Sequence, residues 1–432
     1  MATDGPSGWS TRTLFELADY QNGIAFRPTD TRGDGLPIIK IAELNGGIGP
    51  STGRAKGEVD ARKVIHSGDL LFAWSGSVGV YRWSGPEAVL NQHIFKVTSR
   101  NGVDQRFLQY LLESQLPTFQ RLVDDQATTM GHVKVSDLKR LKVLVPPLPE
   151  QRAIASILGS LDDKIELNRR MNQTLEEIAR ALFKFWFVDF GPVRAKAEGR
   201  WKKGESLPGM PADMWDLWPS EFEDSEIGGI PKGWGVMTLE SLCSSITNGG
   251  TPRRAESKYW ESGHIPWFKT GELRDGPLID SEEHISEDGL RDSACRLWKR
   301  DTVLIALYAS PTVGRLGLLK TEATANQACS ALSARPEVGY AFLFQTLLCA
   351  RDGLIQVAVG SAQQNISQEV IRNYPVLAPP PEFTSEFQAR TAPLYDAMTM
   401  GLRQSAVLSL LRDALLPKLL SGEIRVRLDG GQ

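Results

Sequence analysis

The sequence predicts an α+β protein with two β-rich domains in a pseudo-twofold repeat, separated by two long antiparallel coiled-coil helices. Three observations support this fold class. The chain repeats its own motifs once, each copy ends in apolar heptads, and short apolar runs alternate with glycine-rich turns before each heptad segment. The length of 432 residues allows two to four domains, and the 41 % content of hydrophobic residues is typical of a folded chain.

The repeat consists of paired motifs that lie 225 to 236 residues apart and then stay 233 apart from the proline pairs onward. A drifting offset indicates loops of different length in the two copies, whereas a constant offset indicates a rigid element of fixed length. The period is far longer than that of a solenoid repeat, so the sequence predicts two copies and not an array. The paired motifs are Trp9 and Trp234, Asn22-Gly23 and Asn248-Gly249, Gly79 and Gly314, Asn91-Gln92 and Asn326-Gln327, and Pro146-Pro147 and Pro379-Pro380.

The segment after each proline pair predicts a long helix. Apolar residues from Ile154 to Trp186 follow one another at alternating steps of four and three, which is the heptad spacing of a coiled coil. At about 1.5 Å per residue this span would be roughly 50 Å long. The second copy keeps the same seam but is weaker at Gly401 and Arg412, and Pro393 is expected to kink its start. The seam residues are Leu161, Ile165, Asn168, Asn172, Leu175, Leu182, Trp186, Leu408, Leu415 and Leu419.

Two such helices in one chain most simply pair with each other in antiparallel orientation. Asn168 and Asn172 are then polar seam residues that fix the register, and a ligand-binding role for them is the alternative. Gly401 is the repeat equivalent of Asn168, but we do not expect an antiparallel pair to bring these two residues together.

The segments before the helices predict short strands and short helices. In the first copy we expect strands at 36–41, 69–74, 93–97 and 143–145 and helices at 107–113 and 136–140. In the second copy we expect elements at 265–269, 302–307, 342–348 and 374–377. The predicted boundaries are 1–147 and 233–378 for the β-rich domains, 148–190 and 379–428 for the helical segments, and 191–232 for a linker rich in proline and glycine, ordered only by packing against its neighbours.

The sequence lacks recognisable catalytic signatures. It has no GxxxxGK[ST], GxGxxG, HExxH or GxSxG motif, and no Asn-Pro-Pro or Asp-Pro-Pro motif of the kind that amino-methyltransferases use. The five histidines and four cysteines lack metal-ligand spacing, so we expect no catalytic site and no cofactor or metal bound by this chain. With no signal peptide and no apolar run of membrane length, the sequence predicts a cytoplasmic protein.

The net charge of −3 excludes a uniformly basic surface, so binding to nucleic acid would need a focused basic patch. Arg253-Arg254 beside Tyr259-Trp260 combines cations and aromatic rings in a way that suits phosphate contacts next to a stacked ring. The amides of Gln363 and Gln364 can read adenine edges. The alternative for each candidate is an exposed loop with incidental charge. The candidates are Arg54, Lys56, Lys63, Tyr81, Arg82, His132 and Lys134 in the first copy, and Arg253, Arg254, Lys258, Tyr259, Lys269, Arg274, Arg315, Gln363 and Gln364 in the second.

Several segments together resemble the specificity subunits of type I restriction-modification systems. PPLPEQRAIASILGSLDDKIELNRRMNQTLEEIARALFKFWFVDF at 146–190 resembles their central region, and RDALLPKLLSGEIRV at 412–426 resembles their distal region. The phrase from Ile230 to Trp234 resembles the start of their second target-recognition domain. The sequence departs from the family where the second copy has PPPEFTSEFQ in place of PPLPEQ, and where Arg412 replaces a small seam residue.

The resemblance implies two target-recognition domains, each reading one half of a split, asymmetric site in double-stranded DNA. It also implies that the helices set the spacing and bind methyltransferase subunits, of which two are expected, and that the chain itself is not catalytic. S-adenosylmethionine would then belong to the methyltransferase subunits, and ATP with Mg to a motor-nuclease subunit. Base contacts in this family vary with the target, so the resemblance assigns no base-reading residue. Asn91-Gln92 and Asn326-Gln327 recur, and a recurring position fits domain structure better than base reading.

Under the resemblance, the seam residues together with Phe185 and Trp186 are candidates for partner docking. The aromatic cluster that includes Phe183, Phe187 and Phe190 is wider than one seam, so either burial inside this chain or docking of a partner explains it. A different interpretation of the whole chain is a duplicated coiled-coil adaptor that joins proteins without DNA specificity. An enzyme with an unrecognised site is a third.

Overall fold

The computed structural model describes residues 6–27, 31, 34–125, 131–308, 311–360 and 365–427. The chain divides into two compact units. The first unit comprises Met1–Ile165 and Val407–Gln432, and the second comprises Glu166–Ala406. Helices and strands are mixed in both units, which confirms the predicted α+β class.

The strands of the first unit form a four-stranded sheet, a three-stranded sheet and a separate pair. Their bounds are β1 (Ser10–Thr13), β2 (Ala18–Asn22), β3 (Ile38–Ile39), β4 (Val64–Ile65), β5 (Leu70–Ala73), β6 (Gly79–Arg82), β7 (Ala88–Leu90), β8 (Ile94–Ser99) and β9 (Lys142–Val145). The larger sheet is antiparallel in the order β2-β8-β5-β6. The smaller sheet has the order β3-β7-β4 with β3 and β7 parallel, and β1 pairs with β9.

The helices of the first unit pack against its sheets and against one another. Their bounds are α1 (Leu14–Leu17), α2 (Ile41–Gly46), α3 (Gln105–Ser114), α4 (Leu116–Asp124), α5 (Val135–Arg140) and the first part of α6 (Leu148–Phe183). The Asp104 carboxylate caps α3 by accepting the backbone N–H groups of Arg106 and Phe107, both at 3.0 Å. Phe107 of α3, Phe72 of β5 and Leu158 of α6 are buried in one apolar cluster, so the helix packs directly on the domain.

The prediction of a strand over 36–41 is correct only for its two central residues, because Ile38–Ile39 alone forms a strand. From Ile41 the chain turns into α2, where the Glu43 carboxylate accepts the backbone N–H of Lys40 at 3.0 Å. This local cap satisfies a donor that a longer strand would have used. The predicted strands at 69–74, 93–97 and 143–145 and helices at 107–113 and 136–140 are all present, with ends shifted by one or two residues.

The second unit repeats the strand order of the first and extends it. Its strands are β10 (Phe222–Ser225), β11 (Gly228–Pro231), β12 (Gly235–Thr238), β13 (Cys243–Asn248), β14 (Ile265–Phe268), β15 (Gly276–Leu278), β16 (Glu283–Ile285), β17 (Val303–Ala306), β18 (Leu316–Leu319), β19 (Thr324–Ala325), β20 (Cys329–Ala334) and β21 (Pro375–Ala378). The order β13-β20-β17-β18 matches β2-β8-β5-β6, and β15 adds a parallel edge strand to β18. The pair β12 and β21 matches β1 and β9. The duplication read from the sequence is therefore a duplication of fold.

The helices of the second unit are the rest of α6, α7 (Gly191–Ala197), α8 (Glu287–Arg291), α9 (Tyr340–Gly360), α10 (Gln368–Asn373) and the first part of α11 (Pro381–Ser421). A π-helical turn over Lys184–Val188 ends the first long helix. The predicted linker is ordered by packing, as expected, because Trp201, Met210, Met214 and Trp218 lie in the main core of this unit. It also has secondary structure of its own, in α7 and the β10–β11 hairpin.

Proline does not interrupt either long helix. Pro149 lies in the first turn of α6, where its missing N–H costs no hydrogen bond. The helix α11 continues through Pro393 and Pro417, so the expected kink at Pro393 does not divide it.

The two long helices pair in antiparallel orientation within the second unit. The amide nitrogen of Asn168 donates to the carbonyl of Gly401 (3.3 Å), to Oε1 of Gln404 (2.9 Å) and to the hydroxyl of Ser405 (3.2 Å). The expectation that Asn168 and Gly401 stay apart is therefore wrong. Equivalent residues of an antiparallel pair do meet at the point where the local twofold axis of the pair crosses the seam.

The two weak seam positions of α11 have structural reasons. A Cβ atom on Gly401 would lie 2.7 Å from Oδ1 of Asn172, so the missing side chain makes room for the asparagine. In the first unit, the guanidinium of Arg412 lies 2.9 Å from the carboxylate of Asp162 on α6. An ion pair thus replaces an apolar contact there.

Candidate DNA interface and partner-docking surfaces

In the first unit, two of the predicted DNA-contacting side chains are held by neighbouring elements. The Tyr81 hydroxyl, at the end of β6, donates to the side-chain oxygen of Asn45 on α2 at 3.0 Å. The Lys63 ammonium donates to the backbone carbonyl of Asn22 at 2.7 Å. Both side chains therefore stabilise loops of the domain, and only part of their polar surface is left for a ligand.

The other cations of the first unit are more accessible. Arg54, Lys56, Arg82 and Lys134 are exposed, and within the described ranges none of them forms an ion pair. Arg54 donates to the backbone carbonyl of Gly35 at 3.0 Å, which positions its guanidinium. Cations without a carboxylate partner can contact phosphate without first breaking an ion pair.

His132 lies in a ring cluster with Trp74 and His93. The Trp74 ring centroid is 5.5 Å from that of His93 and 6.0 Å from that of His132. A β-bridge between Ser75 and His132 joins the end of β5 to the segment before α5. The structure thus brings His132 and His93 to the same ring, that of Trp74, a proximity that sequence spacing did not reveal.

In the second unit, Arg254 is engaged inside the domain. Its guanidinium lies over the rings of Trp260 (3.8 Å) and Trp267 (4.6 Å) and forms an ion pair with Glu283. The hydrogen bond from Arg254 holds the pKa of Glu283 below its usual value, so this carboxylate is charged at neutral pH. Tyr259 is buried and is not available for stacking.

Two further predicted cations are paired with carboxylates. Lys269 lies 3.0 Å from both Glu282 and Glu283, and Lys258 lies 3.9 Å from Asp292. A phosphate group would have to compete with these acids. The sequence could not reveal this, because the partners lie 13 to 34 residues further along the chain.

The remaining candidates of the second unit differ in accessibility. Arg253 and Arg274 are exposed and form no ion pair with any described residue. Arg315 is half-buried. Gln363 and Gln364 lie outside the described residues.

The aromatic cluster at the end of α6 belongs to the core. Trp186 is 0 % exposed, and its ring centroid lies 5.5 Å from that of Trp218 and 5.9 Å from that of Phe387. Phe185 is half-buried and packs closely against Gly191. Of the two explanations that the sequence left open, burial is therefore the one that the structure supports, and docking through the Trp186 ring is not supported.

The predicted seam residues are also occupied within this chain. Asn168 and Leu419 are buried, and Leu161, Ile165, Asn172, Leu175, Leu182, Leu408 and Leu415 are half-buried. The part of each side chain that is buried within this chain is not available to a partner.

The heptad pattern missed a second set of apolar residues on the same helices. Leu167, Met171 and Ile178 are exposed on one face of α6, and Met400, Val407 and Leu411 are exposed on one face of α11. Leu167 is 56 % exposed, and its repeat equivalent Met400 is 71 % exposed. We call these two sets the α6 stripe and the α11 stripe. These residues recur at helical spacing away from the seam, so the sequence alone could have indicated a second apolar face on each helix.

Two of the buried thiols are protonated, and the described residues form no metal-binding cluster. No cluster of three or more His, Cys, Asp or Glu side chains among them could hold a metal ion. Burial raises the pKa of Cys243 and of Cys329 to about 12, so both thiols are protonated at neutral pH and are poor nucleophiles. Among the described helices, none is both long enough and apolar enough to span a membrane.

Comparison with known proteins identifies the class. A family model described as the type I restriction modification DNA specificity domain matches residues 6–177 and again 231–388. The chain belongs to this family. The comparison confirms the predicted class of a non-catalytic DNA specificity subunit and does not favour an adaptor without DNA specificity.

Individual relatives extend over most of the chain. The specificity subunit of the type I restriction enzyme MjaIX of Methanocaldococcus jannaschii is 26 % identical over 84 % of this chain and 79 % of its own length. The HindI specificity subunit of Haemophilus influenzae is 26 % identical over 84 % of this chain and 88 % of its own length. The crystal structure of a type I S subunit from M. genitalium has the same fold, with a TM-score of 0.57 and 16 % identity over 97 % of this chain and 98 % of that one.

Proposed function

We propose that each β-rich domain reads one half of a split, asymmetric DNA site, and that the long helices set the spacing and bind methyltransferase subunits. The proposal that the two domains read different half-sites is supported by side chains that differ between the domains at equivalent positions of the same backbone. The backbone N–H of Trp74 donates to the carbonyl of His93 (3.2 Å), and at the equivalent place the N–H of Leu307 donates to the carbonyl of Ala328 (2.8 Å). Trp74 and His93 are half-buried, whereas Leu307 and Ala328 are buried, so the two copies already differ in side chains at equivalent places, as domains that bind different half-sites are free to do.

DNA affinity would come from the exposed cations that form no ion pair with a described residue. Arg54, Lys56 and Lys134 serve this role in the first domain, and Arg253 and Arg274 serve it in the second. The paired cations of the second domain, such as Arg254, contribute less because a phosphate must displace a carboxylate. Each phosphate contact releases counterions, so affinity is expected to fall with rising salt concentration.

The stripes on α6 and α11 support the docking of partner subunits. Exposed apolar side chains in a helical row are typical of an interface. Leu167 and Met400 are repeat equivalents, as are Ile178 and Leu411, so two equivalent docking sites and hence two methyltransferase subunits are proposed. These subunits would bind S-adenosylmethionine, and a motor-nuclease subunit would use ATP with Mg. The complex would act on cytoplasmic DNA.

An exchange of domains tests the division of labour. Residues 234–378 are replaced by the corresponding domain of another family member, a cut that keeps the paired ends β12 and β21 together. Methylated bases are then mapped in a host that expresses the hybrid with its methyltransferase subunit. One half of the target is expected to change, and the reciprocal exchange of 9–145 is expected to change the other half. A change in both halves after either exchange would refute the proposal.

A further inference from the structure

Asparagine has a structural role in the first Asn-Gln pair, which links β7 to β8. The backbone N–H of Asn91 donates to the carbonyl of Ile39 (2.9 Å), and its side-chain oxygen accepts the N–H of His93 (3.4 Å). A Cβ atom on Gly23 would lie 2.2 Å from the carbonyl oxygen of Asn91, so only glycine permits this close approach. The recurrence of Asn91 and Gly23 is thus explained by the turn itself.

The second Asn-Gln pair, between β19 and β20, has the same frame. The backbone N–H of Asn326 donates to the carbonyl of Phe268 (2.9 Å), and its side-chain oxygen accepts the N–H of Ala328 (3.1 Å). A Cβ atom on Gly249 would lie 2.2 Å from the carbonyl oxygen of Asn326. Both turns therefore hold the following glutamine at the same place in its domain.

The turn does not explain why glutamine recurs. The side chains of Gln92 and Gln327 are both exposed and do not belong to the core. Nε2 of Gln92 lies 3.3 Å from Nε2 of His93, whereas the side-chain oxygen of Gln327 accepts the Thr251 hydroxyl. In the second domain this bond occupies the carbonyl and leaves the NH₂ group as a donor toward solvent.

The residues beside the two glutamines differ between the domains. His93 and Trp74 flank Gln92, and Ala328 and Leu307 occupy the equivalent positions in the second domain. Side chains that read bases are expected to differ where the two half-sites differ. A side chain that recurs on the surface of both domains is suited to contact what both half-sites share, which is the phosphate backbone.

We propose that Gln92 and Gln327 each donate a hydrogen bond from Nε2 to a DNA phosphate, as one sequence-independent anchor per domain. The inference rests on the proposed function, since both domains must bind DNA. The rigid Asn-Gly frame fixes where each anchor meets the DNA backbone and so sets the position of its domain on the duplex. Because glutamine is neutral, the anchors differ from lysine or arginine contacts in a measurable way: their loss leaves the salt dependence of binding unchanged.

The test uses the full chain in complex with its methyltransferase subunit and measures affinity for two duplexes by fluorescence anisotropy. One duplex contains the site found from the methylated bases, and the other has one half randomised. Gln92→Ala and Gln327→Ala are each expected to lower affinity about 10-fold on both duplexes, the size of a lost hydrogen bond to a charged group. Gln92→Glu, which keeps the shape but repels phosphate, is expected to lose more. The exposed Gln120 and Gln356 provide matched alanine controls that should stay within about twofold of wild type.

Two results would overturn the proposal. Affinities of the Gln92 and Gln327 variants equal to those of the two controls would leave the glutamines without a DNA contact. A changed methylated sequence in either variant would make that glutamine a base reader. Failure of the proposed function itself is seen separately, because the wild-type complex would then not prefer the intact site over the randomised one.

Discussion

Individual ion pairs connect the β-rich domain to a long helix in each unit. The side chain of Lys320 is 0 % exposed, and its ammonium lies 2.7 Å from Asp301 and 3.2 Å from Asp396 of α11. In the first unit, Arg106 of α3 lies 2.6 Å from Asp163 of α6. Asp163 and Asp396 are repeat equivalents, so the same helix position anchors both domains with different cations.

Replacing Lys320 with methionine is expected to destabilise the protein by about 1.5–3 kcal/mol, because two carboxylates lose a charged hydrogen-bond donor and keep, among the described residues, only Arg300 as an ion-pair partner. The free energy of unfolding can be measured by urea denaturation followed by tryptophan fluorescence. Lys258→Met is the matched control, since that side chain is 56 % exposed and its ion pair with Asp292 is long, at 3.9 Å. The control is expected to change the free energy of unfolding by less than about 0.5 kcal/mol. Equal effects of the two substitutions would contradict a structural role for the buried ammonium.

At the scale of elements, the polar seam sets how α6 and α11 meet. Asn168 is buried and donates to three groups on α11, and Asn172 donates to the carbonyl of Met398 at 3.1 Å. Such bonds exist in one register only, which supports the prediction that these residues specify the alignment of the helices.

Asn168→Ala is expected to cost about 2 kcal/mol of unfolding free energy, since a buried amide and its acceptors lose their bonds. Gln173→Ala is the control, because Gln173 is exposed on the same helix. Urea denaturation measures the free energy of unfolding of both variants. If Asn168→Ala is as stable as the control, the seam asparagine does not fix the register.

The stripes allow a separate test of docking. Leu167→Glu and Met400→Glu are each expected to weaken binding of the methyltransferase subunit at least about 30-fold, the equivalent of about 2 kcal/mol at an interface hot spot. Gln173→Glu and Ala406→Glu add the same charge at exposed, repeat-equivalent positions away from the stripes. Titration calorimetry with the purified methyltransferase subunit compares the four variants. Unweakened binding by the stripe variants would show that partners dock elsewhere.

What the sequence could predict depended on how local each signal is. The constant offset of 233 and the heptads predicted both long helices, because helix periodicity is set by neighbouring residues. The pairing of Arg254 with Glu283 could not be predicted, since it depends on how strands and loops meet in three dimensions. The same holds for Trp186, where periodicity placed the ring on a seam but could not say that Trp218 covers it.

In the molecule as a whole, the two copies have kept the same backbone fold, but the side chains that stabilise equivalent places differ. In the first unit, the Glu150 carboxylate accepts the Trp9 indole N–H at 3.0 Å and pairs with Arg425 at 2.7 Å. In the second unit, the repeat equivalents of Trp9 and Glu150 are Trp234 and Phe383, whose ring centroids are 4.9 Å apart. An ionic cluster in one unit thus corresponds to an aromatic cluster in the other. Two copies that diverge even inside the fold are free to diverge at the surface that reads DNA.

The central claim, that this chain directs methylation to a split DNA site, is tested most directly by mapping methylated bases. A host without DNA methylation would express this chain together with the methyltransferase subunit of the same system, and the control would express the methyltransferase subunit alone. We expect a gapped adenine motif that appears only when both chains are present. An identical pattern without this chain, or no motif with it, would rule out a directing role for the chain and favour an adaptor that does not read DNA.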